Sequence, residues 1–173
     1  KNGRPLGDVL QSITRWGTKG FLVVNNSAKI EVVNLKDLSS ISTIIGFKSP
    51  RYVCIQNENK AYVSEYYGGG IKIINLTNNT ISSSIDVPGN CEEMLLLNNK
   101  LYVASANRRY VYVINTISDL LFDSIPVAYG PNSIRLDKNN KVWVLSSGNP
   151  EQSKFENGGL QRINPVADSV EKT

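Results

Sequence analysis

Histidine is absent from the 173 residues. Its absence removes the general base of most hydrolytic triads and the commonest ligand of protein zinc sites. There are two cysteines, Cys54 and Cys91, too few for a disulfide framework. No run of 18 apolar residues occurs, so no segment reads as a membrane-spanning helix. The chain does not open on a basic, apolar, small-residue leader. No stretch sustains a 3.6-residue apolar period, so helices are not expected. An excess of one charge is also missing. Nineteen Lys and Arg against 15 Asp and Glu give a net charge of +4, scattered rather than gathered in a basic stripe. Only Arg108-Arg109 forms a tight pair, and a nucleic-acid partner is not expected. What remains is a chain 40% hydrophobic, long enough for a core and too apolar to be disordered.

The chain repeats itself, and the period decides its architecture. Phe21-Leu22-Val23-Val24, Ala61-Tyr62-Val63-Ser64, Leu101-Tyr102-Val103-Ala104 and Val142-Trp143-Val144-Leu145 read as one element, with offsets from Leu22 to Tyr62, Tyr102 and Trp143 of 40, 40 and 41. A second marker ends in Asn34, Asn75, Asn115 and Asn164, at offsets of 41, 40 and 49. A third precedes each element and contains Ile13, Val53, Met94 and Ile134. The segments are short, β-branched and aromatic, which is strand chemistry. Asn59-Lys60, Asn98-Asn99-Lys100 and Asn139-Asn140-Lys141 sit between them, and asparagine tolerates the left-handed angles of tight hairpin turns.

Four strands in about 40 residues make a β-propeller blade. The chain therefore reads as a single all-β propeller domain over 1–173. Its four-stranded antiparallel blades fall at about 9–45, 51–85, 91–125 and 132–173. One long loop, Ser146 to Gly158, interrupts the fourth. Burial explains why such units stack, since a lone meander has two apolar faces and can cover neither. The second-strand aromatics Tyr62, Tyr102 and Trp143 are accordingly expected in the core.

These residues carry a resemblance. LYVAS…VYVIN at Leu101–Asn115 and YGPNSIRLDKNNKVWVLSSG at Tyr129–Gly148 resemble the YVTN-type, surface-layer-type β-propellers. RPLGDVLQSI…GFLVVNNSAKIEVVNL at Arg4–Leu35 resembles a narrower branch, the uncharacterised cell-surface propellers of Gram-negative gut anaerobes. The resemblance covers essentially the whole chain. It implies an extracytoplasmic setting, at the bacterial cell surface or in the periplasm, with a lipoprotein signal and a first strand ahead of Arg4. It also implies roughly twice this length, so the chain is expected to be part of a ring of about seven or eight blades. The branch includes lipoproteins that work beside outer-membrane nutrient transporters, some of which capture corrinoids. The implied function is non-enzymatic binding of a small molecule or glycan, with no cofactor. Nothing in the residues selects corrinoid over glycan or protein.

Two groups of residues are candidates for contact with a ligand. Gln11, Arg51, Glu92 and Asn132 occupy one repeat position, at offsets of 40, 41 and 40, and open the innermost strands. In a ring they would line the mouth of a central channel, as ligand contacts or as polar groups keeping strand ends wet. Tyr66-Tyr67 beside Gly68-Gly69-Gly70 would offer rigid amphipathic rings that a partner can approach closely, or a wedge against the next blade. Arg108 and Arg109 occupy the corresponding loop one blade on and suit an anionic group. No catalytic or metal-binding set emerges. Glu92-Glu93 are adjacent on a strand and point to opposite faces, and no dense Asp loop is present. The alternative function is a propeller lactonase or lyase whose catalytic residues lie in further blades. A purely structural surface-layer role is the third.

Overall fold

The structure is a computed structural model that describes residues 3–149, 151 and 155–172. Thr173, and Pro150 and residues 152–154 of the long loop, lie outside the described residues. Among the described residues, sixteen strands form four antiparallel meanders. The first is β1 (Leu10–Trp16), β2 (Lys19–Val24), β3 (Lys29–Asn34) and β4 (Ser40–Ile45). The second is β5 (Pro50–Asn57), β6 (Lys60–Glu65), β7 (Ile71–Asn75) and β8 (Thr80–Ile85). The third is β9 (Cys91–Leu97), β10 (Lys100–Ser105), β11 (Tyr110–Asn115) and β12 (Leu120–Pro126). The fourth is β13 (Pro131–Leu136), β14 (Val142–Ser146), β15 (Gly159–Asn164) and β16 (Ser169–Lys172). They fall into two compact units, Lys1–Ile85 with the first two blades and Asp86–Thr173 with the last two.

Asparagines punctuate every blade. Asn98 and Asn99 both have positive φ, 49° and 61°, which closes β9 onto β10 with the turn twist that antiparallel strands favour. The repeated Asn34, Asn75, Asn115 and Asn164 end the third strand of each blade. The side-chain oxygen of each accepts a hydrogen bond from the backbone N–H two residues on, at 2.9, 2.9, 2.9 and 3.0 Å. Four residues after each asparagine comes a left-handed residue, Leu38, Asn79, Asp119 or Asp168. The marker is thus an Asx turn that reverses the chain into the outermost strand. Asn115→Ala removes acceptance from the N–H groups of Ile117 and Ser118 and is expected to cost about 1 kcal/mol in urea denaturation. Asn115→Asp keeps the acceptor and should restore most of the loss.

Strand pairing corrects the first repeat by one residue. Val53 lies opposite Val63, Met94 opposite Val103 and Ile134 opposite Val144, but Ile13 lies opposite Leu22. Leu22 is therefore the counterpart of Val63, and Phe21 that of Tyr62. Because side chains alternate between faces, that single step moves the aromatic onto the opposite side of β2. Phe21 is buried with Val23, Ile30, Val32, Val53 and Val63 in the core of the first unit. Tyr62 and Tyr102 are fully buried, whereas Trp143 is half-buried, its indole N–H donating to Asp137 Oδ2 at 2.9 Å.

Within the first unit, Ser12 Oγ donates to Arg51 O at 2.6 Å and Thr14 Oγ1 to Val53 O at 2.8 Å, tying the two innermost strands together. Within the second, Glu93 Oε2 accepts from Ser133 Oγ and Ile134 N at 2.9 and 3.0 Å and pairs with Arg135. Tyr102, Ala104, Val111, Ile125, Val142 and Val144 fill the core of that unit. The Val and Ile side chains among them contribute about 1.5–3 kcal/mol each on full burial.

The segment before β1 is a strap across the first blade. Arg4 donates to both oxygens of the buried Glu31 on β3, at 2.7 and 2.8 Å. Lys29 and Thr43 complete the cradle at 2.7 and 2.9 Å. Asn25 N donates to Val9 O at 2.8 Å and Asp8 N to Ser27 Oγ at 2.9 Å. Gly7, at φ +129°, lies so close to Val24 and Ser27 that a Cβ would sit 2.6 Å from Ser27 Oγ.

Candidate functional site

The innermost strand of every blade carries a β-bulge near its start. Register slips between Leu10 and Ser12, between Pro50 and Val53, between Cys91 and Met94, and between Pro131 and Ser133. Gln11, Arg51, Glu92 and Asn132 all fall within these bulges. A bulge adds a residue that the partner strand does not match and re-aims side chains. This is the physical basis of the polar series read from the sequence.

In the first unit the structure brings four of the expected residues together. Arg51 Nη1 donates to Gln11 Oε1 at 2.6 Å, and the guanidinium carbon lies 5.1 Å from the centroid of the Tyr66 ring. Tyr67 stands edge-on to Tyr66, with centroids 4.8 Å apart and planes at 89°. Tyr66 is half-buried, while Tyr67 is 65% exposed. A cation over one ring and a second ring presented to solvent form an amphipathic platform.

Glu65, which sequence reasoning did not single out, builds this platform. Its carboxylate is 1% exposed and lies beneath the loop between β4 and β5, accepting from Lys48 N at 3.0 Å and Ser49 N at 2.6 Å. Tyr66 N donates to Ser49 O at 2.9 Å, locking that loop to the one after β6. The aliphatic stem of the exposed Lys48 crosses Gly68, where a Cβ would sit 2.5 Å from Lys48 Cδ. At φ +104° only glycine holds this turn without strain.

The second unit treats its expected residues differently. Glu92 is 4% exposed and Asn132 half-buried. Arg108 is exposed at the loop between β10 and β11, its carbonyl accepting from Gly130 N at 2.9 Å. Arg109 is ion-paired with Glu156 from the long loop, which also bridges to Asn149. Beside them Tyr110 and Tyr112 lie 5.9 Å apart, and burial raises the Tyr112 hydroxyl above its usual range. Among the described residues, no group of three or more Cys, Asp or Glu is arranged to hold a metal ion, and no helix is long and apolar enough to cross a membrane.

Solved structures similar to the chain are β-propellers. One is hydrazine synthase of Kuenenia stuttgartiensis, 14% identical, TM-score 0.84, with 98% of this chain and 51% of that one covered. Another is the dihydro-heme d1 dehydrogenase NirN in complex with DHE, 11% identical, TM-score 0.74, covering 95% of this chain and 37% of that one. The Pan2 WD40 domain of Neurospora crassa is 8% identical, TM-score 0.76, covering 94% and 51%. The chain spans about half or less of the length of these structures. At such identities the likeness shows the fold alone, a β-propeller fold in four-stranded blades. No curated protein matches the chain. The family described as "Domain of unknown function (DUF5074)" matches residues 1–173, and the chain belongs to it.

Proposed function

We propose that the chain belongs to a non-enzymatic binding protein outside the cytoplasm, which captures a small molecule or polymer at the loop end of its blades. The observation that carries this reading is the platform of Gln11, Arg51, Tyr66 and Tyr67. It combines the Gln11 amide and the Arg51 cation, set in the bulges of β1 and β5, with the exposed Tyr67 ring on the loop after β6, next to the buried Glu65 that fixes the loop after β4. Ligand sites have this make-up, apolar contact with a few placed polar groups. The extracytoplasmic setting, the lipid anchor and supply to an outer-membrane transporter rest on the resemblance of Arg4–Leu35 and Leu101–Asn115 to surface propellers. Membership of a ring of about seven or eight blades is supported by exposure on the first blade. Ile13 is 62% exposed, whereas its counterparts Val53 and Ile134 are 7% and 2% exposed.

The test is thermal-shift and native mass spectrometry screening of the chain against corrinoids, glycans and calcium. One class is expected to raise the melting temperature, and Arg51→Ala with Tyr67→Ala is expected to abolish that rise. No shift with any class overturns the reading.

A further inference from the structure

We infer a second ligand site within the first unit, at the hairpin between β5 and β6, which takes a neutral sugar ring. It lies away from the loop-end platform, since Arg51 opens β5 and Gln56 stands near its other end, about 17 Å along the strand. Trp16 supplies the apolar wall. Side chains alternate across β1, so Ser12, Thr14 and Trp16 share the face turned to the second blade. The first two donate to Arg51 O and Val53 O on β5. Trp16 continues the series to the level of the hairpin. There it meets Gln56, Asn57, Glu58, Asn59 and Lys60 around a hollow of about 680 Å³. Small-ligand sites span about 300–1,000 Å³. Leu97 holds the matching place on β9 and packs against the core of the second unit, whereas Trp16 is 43% exposed. A further blade stacked on Ile13 would lie against the opposite face of β1 and leave this indole open.

The polar half of the hollow is set in advance. Register slips a second time on β5, between Ile55 and Asn57, where β1, β9 and β13 show no such slip among the described residues. A bulge re-aims side chains and recurs beside functional sites. The fully buried Tyr62 fixes two lining groups from beneath. Its hydroxyl donates to Gln56 Oε1 at 3.2 Å, and Lys60 Nζ lies 5.2 Å from its ring centroid. Asn57 Oδ1 accepts from Asn59 N at 2.9 Å, and Asn59 Oδ1 from Thr77 Oγ1 at 3.2 Å. Both exposed carboxamides therefore offer their NH2 groups as donors, with the exposed Glu58 as an acceptor between them. Alternating donors and acceptors beside an indole suit a pyranose, whose hydroxyls both give and accept hydrogen bonds and whose C–H face is apolar. Charges of both signs rim the hollow, Glu58 and Lys60 within it and Lys19 opposite Trp16 on β2. Stacking and hydrogen bonding, rather than charge, then decide what binds.

The experiment is an NMR titration of the isotope-labelled chain, read at its two indole N–H signals and at the Asn59 amide. The probes are cellohexaose, maltohexaose and mannohexaose, with oligogalacturonate, chitosan hexamer and tetramethylammonium as charged competitors. At least one neutral sugar is expected to move the Trp16 signal and to leave that of Trp143, in the second unit, in place. Trp16→Ala should weaken this sugar by about tenfold, and Trp16→Phe, which keeps a ring, by less. Asn57→Asp keeps the acceptor for Asn59 N but removes the NH2 donor, and should weaken it by about fivefold. A Trp16 signal that no neutral sugar moves overturns the inference. So does tighter binding of a charged probe than of every neutral sugar, or a neutral sugar whose affinity survives Trp16→Ala.

Discussion

Arg4→Ala is expected to lower the urea midpoint of the first unit at pH 7, and Glu31→Gln to remove most of the acid sensitivity that this unit shows. Glu31 is a carboxylate with 3% of its side chain exposed, and a buried charge that loses its partner is expensive. Lys29 and Thr43 remain after the arginine is gone, which holds the cost below that of a fully orphaned carboxylate. Hydrogen bonds from Arg4 outweigh the opposing effect of burial and, with those from Lys29 and Thr43, hold the Glu31 carboxyl down at about 2, against 4.5 in an unfolded chain. A lowered value means that the folded state favours the charged form. The stabilisation is therefore complete above about pH 4.5 and disappears as the pH falls towards 2. Arg4 is itself half exposed, so solvent screening keeps the stabilisation below the full equivalent of that gap. Hydrogen exchange at the Asn25 amide, bonded to Val9 O, reports directly on release of the strap. Asp137 and Glu171 in the second unit are also lowered, so the whole chain keeps some acid sensitivity. An acid limb in Glu31→Gln as steep as the parent's would show that the cradle does not couple to folding.

The strap also marks a boundary of what the sequence made legible. Runs such as Val111-Tyr112-Val113-Ile114, bounded by asparagines, locate strands because β-branched and aromatic side chains suit a pleated, buried surface. The Asn34, Asn75, Asn115 and Asn164 series located the turns, and the Asx hydrogen bonds supply its mechanism. The alignment of Leu22 with Tyr62 was wrong by one residue because Phe21-Leu22-Val23-Val24 is apolar throughout, so alternation gives no phase. Pairing with Thr14 on one side and Val32 on the other shows that Phe21 is the aromatic counterpart. The Arg4–Glu31 pair joins residues 27 apart and occurs once, so no recurrence along the chain marks it.

The candidate site was half legible for the same reason. Gln11, Arg51, Glu92 and Asn132 recur, and recurrence found them. That Gln11 and Arg51 touch, and that Arg51 caps Tyr66, depends on bulge geometry, which short polar sequences do not announce. Glu65 escaped notice because a single acidic residue at a strand end reads as solvated. Burial and two backbone donors give it the opposite role.

The largest single loss of stability is expected at Tyr102. Its side chain is fully buried in the core of the second unit, against residues that include Ala104, Ile134, Val142 and Val144. Its hydroxyl donates to Asp168 Oδ1 at 3.0 Å, and the other oxygen of Asp168 is paired with Lys100. Burial, then the charge of Asp168, raises the Tyr102 phenol far above its usual range, so it stays a neutral donor. Asp168 is itself the left-handed residue that closes the turn after Asn164, so the ring ties the core to a turn. Tyr102→Ala removes a ring that nothing nearby can replace and should cost about 3–5 kcal/mol, a large share of the stability of an ordinary domain. Tyr102→Phe keeps the volume and deletes only the hydroxyl, at a cost of about 1 kcal/mol, because Lys100 still neutralises Asp168. Guanidinium denaturation of the two variants separates packing from hydrogen bonding. If both lose the same amount, the hydroxyl's tie to Asp168, rather than the ring, holds this core together.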